Sequence, residues 1–287
     1  MLTTTGIVLI TTAALLAGCD ACGSRGLSCT APADNCAEVF CDANRESGHY
    51  WVKRAGGSSA ERVYCARDHP DCGEGNWMRV ARIDTTERFF TCPGGSEPMV
   101  VNKKQYCRTP TAGGCASLHF DSLGHSYREV CGFVRGYQYY TTDGFVNRGL
   151  STTDQNYVDG FSFTYGSGPR KHLFTYAVAY SYDAQTHCPC ASARNVAPQN
   201  FVGNDYYCST AYSGNTRPKQ SLATRDPLFD GVGVCAGTCC DNLNQPWFKK
   251  TVPQQTTDNL EMRLCVDQPF SDEVVAFNKV ELYIRVD

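Results

Sequence analysis

Asp143-Gly144, Asp154 and Asp159-Gly160 place carboxylates in turn contexts, where side-chain and backbone oxygens can converge on a hard cation. Calcium is the metal those residues could hold. Asp-Gly is also ordinary turn chemistry, and the sequence leaves both readings open. Tyr137, Tyr139, Tyr140, Tyr206, Tyr207 and Trp247 could present flat faces on which a sugar ring stacks. The same side chains equally suit packing in half-buried strands. Cys188-Pro189-Cys190, with His187 beside it, has the spacing of a C-x-C redox pair. Redox catalysis needs a low-pKa, exposed thiol, so two structural half-cystines are the plainer reading. The six histidines show neither H-x-x-x-H nor H-E-x-x-H spacing, and the chain has no G-x-S-x-G elbow or phosphate loop. No catalytic residue is assigned, and a non-catalytic protein is expected.

The elements that would position these residues are read from eighteen cysteines in 287 residues. Cytosolic reductants keep thiols reduced, so this density implies an oxidising compartment and a secreted protein. Residues 1–23 read as a signal peptide with the apolar core Gly6–Ala17. That run is shorter than the roughly 20 apolar residues a membrane span needs. Cleavage after Gly23 leaves sixteen cysteines, an even number. Leu16-Ala17-Gly18-Cys19 also matches a lipobox, but the n-region carries no Lys or Arg. No Asn begins an Asn-x-Ser/Thr sequon. A formal charge of −3, with Lys and Arg scattered rather than striped, offers no electrostatic footprint for nucleic acid or an anionic membrane.

Helical periodicity is nearly absent, and period-two alternation broken by Gly, Pro, Asn and Asp runs through the chain. The fold class expected is mostly β: disulfide-rich antiparallel sheets, sandwich-like, with long disulfide-pinned loops. Residues 158–182 read as a hairpin turning at Gly166-Ser167-Gly168-Pro169, and Val130–Tyr140 as a further strand. Leu260–Val266 and Val280–Val286 alternate as two strands joined by a loop from Pro269 to Asn278, with antiparallel pairing between them. Residues 186–258 read as loops pinned by disulfides.

Residues 36–84 carry a resemblance. Cys36 is followed by Ser47-Gly48-His49-Tyr50-Trp51-Val52, then Val63-Tyr64-Cys65, then Gly75-Asn76-Trp77-Met78-Arg79-Val80. The order resembles the N-terminal subdomain of fibrinogen-related domains, which implies a disulfide from Cys36, or Cys41, to Cys65 across a small antiparallel sheet. The calcium-loop and ligand-pocket motifs of that family do not follow. From Gly75 onward the chain is similar to cysteine-rich secreted proteins of marine invertebrates such as sponges and cnidarians. The segments that carry this include Gly136-Tyr137-Gln138-Tyr139, Tyr157-Val158-Asp159-Gly160, Cys188-Pro189-Cys190, Phe201–Tyr206, Cys239-Cys240 and Pro246-Trp247-Phe248. Lys249 stands where that family has Cys in P-W-F-C-K, so the usual partner cysteine is left as a free thiol or paired otherwise.

After the signal peptide (1–23), these resemblances imply a fibrinogen-like subdomain (24–90) and a cysteine-rich β domain (91–287). They imply a secreted, non-catalytic matrix or adhesion component, with matrix, glycan, a second copy of itself or a mineral as partner. A lectin-like protein, calcium-dependent or not, is the alternative, and a secreted enzyme a more distant one.

Overall fold

The computed structural model describes residues 23–88, 90–110, 115–140, 160–167, 170–178, 206–209, 247–266 and 273–287. For residues 138–140, 177, 178, 206–209 and 273 it describes the backbone alone. One helical turn, α1 (Cys36–Val39), starts at Asn35, whose Oδ1 accepts the Glu38 N–H at 2.9 Å. A meander follows: β1 (Gly48–Lys53), β2 (Ala60–His69) and β3 (Gly73–Asp84). β4 (Glu97–Val101) and β5 (Lys104–Arg108) form a hairpin whose turn residues, Asn102 and Lys103, both have positive φ. Positive φ at both central positions matches the turn to the strand twist. β6 (Cys115–Phe120), β7 (Tyr127–Tyr140), β8 (Gly160–Tyr165), β9 (Lys171–Val178) and β10 (Tyr206–Ser209) come next. β11 (Phe248–Thr256), β12 (Leu260–Cys265) and β13 (Glu273–Arg285) complete the chain.

These strands form two sheets. In the eight-stranded sheet β13 is central: β7 runs along one side, with β11 beyond it, while β5 and then β3 share the other. The five-stranded sheet has the order β10-β9-β8-β12-β6. Every described pairing between strands is antiparallel except β9–β10. The sheets pack face to face. Phe161 of β8 meets Phe277 of β13 edge-on at 6.1 Å, and Phe248 of β11 stacks on Phe174 of β9 at 5.2 Å. Val280, Leu282 and Ile284 of β13 join Met262 and Leu264 of β12 in one buried cluster. The expected boundary at residue 90 falls between β3 and β4, and strands from both sides of it share a sheet through β13.

The mostly β, antiparallel, disulfide-rich architecture is as the sequence predicts. β8 and β9 form the expected hairpin, and β7 contains the expected strand. Three assignments are corrected. β12 and β13 do not pair: β12 lies between β8 and β6, whereas β13 lies in the other sheet. Alternation shows that each strand buries one face but carries no information about its neighbour. The supposed loop up to Asn278 is strand from Glu273 onward, with a bulge between Phe277 and Lys279. Within the supposed loops of 186–258, Phe248–Thr256 is a strand on the sheet edge. That position tolerates Pro253, because an edge strand leaves half its N–H groups without a ladder partner.

Four disulfides fasten this frame among the described residues. Cys36–Cys65 ties α1 to β2, and Cys72–Cys131 ties the β2–β3 turn to β7. Cys92–Cys107 ties the β3–β4 connection to β5, and Cys115–Cys265 joins β6 to β12. Cys41 is also disulfide-bonded, whereas Cys29 is exposed and free.

Candidate functional site

Side chains alternate across a sheet, so the residues between the core positions of the large sheet line its outer face. The strand registers place them in rows. One row crosses six strands: His49 (β1), Tyr64 (β2), Arg79 (β3), Tyr283 (β13), Cys131 (β7) and Lys249 (β11). A parallel row runs Ala66, Trp77, Arg285, Glu129 and Thr251. Trp51 faces Arg62 on the same side of β1 and β2. A bulge between Leu282 and Tyr283 keeps β3 and β13 in phase, so Arg79 rather than Val80 opposes Tyr283.

The row is held by ring contacts. The Arg79 guanidinium lies 4.5 Å from the Tyr64 ring centre, and His49 meets that ring edge-on at 5.3 Å. Trp77 is fully buried beneath Lys249, whose ammonium is 5.2 Å from the indole, and its Nε1–H donates to the Gly73 carbonyl at 2.9 Å. Lys249 lies directly opposite Cys131, which is bonded to Cys72. Lys249 and Arg285 both pair with Glu129. Burial alone would push the Glu129 carboxyl up, but hydrogen bonds from the two cations outweigh it and hold the group below its ordinary value.

Beside Arg79 opens a cleft of about 430 Å³, bordered by Ser47, Tyr64, Arg67, His69, Glu281 and Tyr283. Arg67 is committed to the scaffold: its guanidinium donates to the carbonyls of Phe40, Asp42 and Ala43, closing the turn after α1. His69 accepts the Asp71 and Cys72 N–H groups at Nδ1, at 3.1 and 3.3 Å, and its ring packs 4.7 Å from Tyr283 and 5.0 Å from Trp247. Burial is the main cause that holds His69 neutral, with its pKa below the ordinary imidazole value. The Tyr283 hydroxyl donates to Glu281 at 3.0 Å, and burial pushes its pKa up, so it stays a phenol. The cleft thus offers aromatic faces, hydroxyls, a carboxylate and a guanidinium. That inventory suits recognition by stacking and charge.

Of the residues singled out in the sequence, Trp247 borders this region, stacked 5.5 Å from Phe133. Tyr137 lies elsewhere on the same face, edge-on to Tyr106 at 5.7 Å in a cluster with Met99, Val274 and Ala276. The backbone of Tyr139 lies opposite Val274 in β7, and Tyr206 and Tyr207 lie in β10 opposite Thr175 and Tyr176. Asp143, Asp154 and Asp159, and with them the calcium reading, lie outside the described residues, as do Cys188 and Cys190. Among the described residues no group of three or more His, Cys, Asp or Glu side chains could hold a metal ion.

The sequence does not mark Arg62, His69, Arg79 or Tyr283 as site residues, and Trp51 and Tyr64 stand in it only as parts of a structural motif. The alternation of His49, Trp51 and Lys53, and of Arg62 and Tyr64, marks an outward face, but the row they join depends on register. No family model matches the chain, and neither a curated protein nor a solved structure matches it.

Proposed function

We propose that the protein is a secreted, non-catalytic component of an extracellular matrix, an adhesive scaffold that assembles with itself or with surrounding matrix. The observation that carries this reading is the placement of the disulfides. Each of the four fastens a strand of the sandwich to a neighbouring strand, turn or helix, so both sheets are stapled. Cross-links of this kind restrict the unfolded chain and resist reduction and proteolysis outside the cell. A skeletal, mineral-associated matrix is the narrower form of the proposal, motivated by the resemblance to invertebrate secreted proteins.

A lectin-like role is the second reading, favoured by the cleft between Tyr64, Arg79 and Tyr283. The two separate by experiment. A matrix component, oxidised and purified, grows into ordered particles with rising concentration and partitions with insoluble matrix. A lectin stays monodisperse and gains thermal stability on adding one sugar class or calcium, by linkage. A monodisperse protein with a saturable sugar-dependent shift would replace the matrix reading with the lectin one.

A further inference from the structure

The outer face of β1–β3 gathers cations that are far apart in the sequence. Arg62 and His49 are exposed, and Arg79 is half-buried. Several cations elsewhere on the large sheet are matched: Lys249 and Arg285 by Glu129, Lys279 by Glu281, Arg82 by Glu87. Glu61, the acid next to Arg62 in the chain, is taken by Arg54. Among the described residues, neither Arg62 nor Arg79 lies in a carboxylate pair. Burial lowers the His49 pKa, and the guanidiniums of Arg79, Arg62 and Arg82 lower it further, which marks a locally positive field. Aromatic rings are interleaved with these charges: Trp51 beside Arg62, Tyr64 under Arg79, then Tyr283 and His69 along the cleft.

We infer that this face binds an acidic polysaccharide, with Arg62 and Arg79 taking its carboxylate or sulfate groups and Trp51 and Tyr64 stacking on its rings. The net charge of −3 gives the protein as a whole no attraction for polyanions, so binding must come from this face. Separate cations spaced along a row of rings match a ligand that repeats charge and ring. The cleft of about 430 Å³ has room for one or two sugar units beside Arg79. The inference rests on the extracellular reading, because acidic polysaccharides are matrix polymers.

The test is binding of the full oxidised chain to heparin (sulfate-bearing) and polygalacturonate (carboxylate-bearing), with dextran as the neutral control and single-stranded oligothymidylate as a second polyanion. At least one acidic polysaccharide should bind in a salt-sensitive manner and dextran should not; the two arms separate sulfate from carboxylate recognition. Arg62→Gln, at an exposed position that leaves the core untouched, and Arg79→Gln should each weaken binding about three- to tenfold. Arg79→Lys should recover part of the loss, because it keeps the charge and loses the planar stack. Lys103→Gln, in the β4–β5 turn, should change nothing. Binding that survives the Arg62→Gln/Arg79→Gln double variant, dextran binding of equal strength, or tighter binding to the oligonucleotide would overturn the inference. If neither acidic polysaccharide binds while ordered assembly persists, the inference fails and the matrix reading stands. If one binds but the chain never assembles or partitions with matrix, the inference stands and the matrix reading fails.

Discussion

His49, His69 and His125 are all held below the ordinary imidazole pKa, with burial the leading cause in each. His125 is the most informative, because it is buried and its Nε2 lies 2.9 Å from the Lys53 carbonyl, which can only accept. That hydrogen bond favours the proton, and so does Asp34; burial and Arg54 oppose it and win. The sign of the pH dependence follows. The unfolded chain takes up protons as pH falls through about 6.5, where the folded histidines still refuse them, so stability falls from neutral pH towards acid. Asp34, Asp84 and Glu129 have lowered pKa values, so their contribution is lost only at more acid pH. Denaturant midpoints should therefore drop between about pH 7.5 and about pH 5.5, ahead of carboxylate titration. His125→Gln, whose amide can donate to the same carbonyl, should lower stability at neutral pH by about 1 kcal/mol and flatten this slope. A slope unchanged in the variant would show that His125 does not carry it. The resemblance names Cys36 or Cys41 for Cys65, and the bond runs to Cys36. The Arg79 row was hidden, because the residues opposite each other depend on two bulges that no local pattern announces.

At the scale of elements, the sandwich closes where glycine lets the sheets approach. A Cβ on Gly136 of β7 would lie 1.9 Å from the Phe161 ring of β8, and one on Gly132 would lie 2.3 Å from Leu282 and 2.8 Å from Phe248. Space rather than backbone freedom requires glycine at both positions. Gly136→Ala should destabilise by about 2–3 kcal/mol, since overpacking a filled core forces side chains off their rotamers or shifts backbone. Adding Phe161→Leu should recover part of that loss, and a thermodynamic cycle of the three variants should show the coupling. Additive losses would mean that the strand relaxes away from β8 instead. β7, β8 and β9 were legible because each alternates clearly and the latter two flank a Gly-rich turn. β11 was not, because Lys249, Lys250, Gln254 and Gln255 dilute its alternation and Pro253 reads as a breaker. β12 and β13 are legible as strands, but their partners are not. Both show one apolar face, and in a sandwich a chain can cross between sheets as readily as it turns back within one.

For the whole molecule, the cross-links differ most in the length of chain they enclose. Cys115 and Cys265 are direct partners across β6 and β12 but 150 residues apart in sequence, whereas Cys92 and Cys107 are 15 apart. In the chain-entropy view a closed loop of about 15 residues is worth about 3 kcal/mol, and one of more than about 100 close to 5, because the dependence is logarithmic. The Cys115→Ser/Cys265→Ser variant should therefore lose more stability than Cys92→Ser/Cys107→Ser. The excess should be only about 1–2 kcal/mol despite the tenfold difference in enclosed length. Because the effect acts on the unfolded chain, the larger loss should come with a steeper denaturant dependence, as the freed chain expands, and with an unchanged native β spectrum. The Cys72–Cys131 link overlaps the long loop in sequence and already limits how far its first strand can wander, which pushes the difference towards the lower figure. A greater loss from the short loop would show that Cys92–Cys107 acts by fixing the β3–β4 connection against β5 in the folded state. The staples would then hold local shape rather than restrain the chain, and the durability of the fold would rest on the packing of the two sheets.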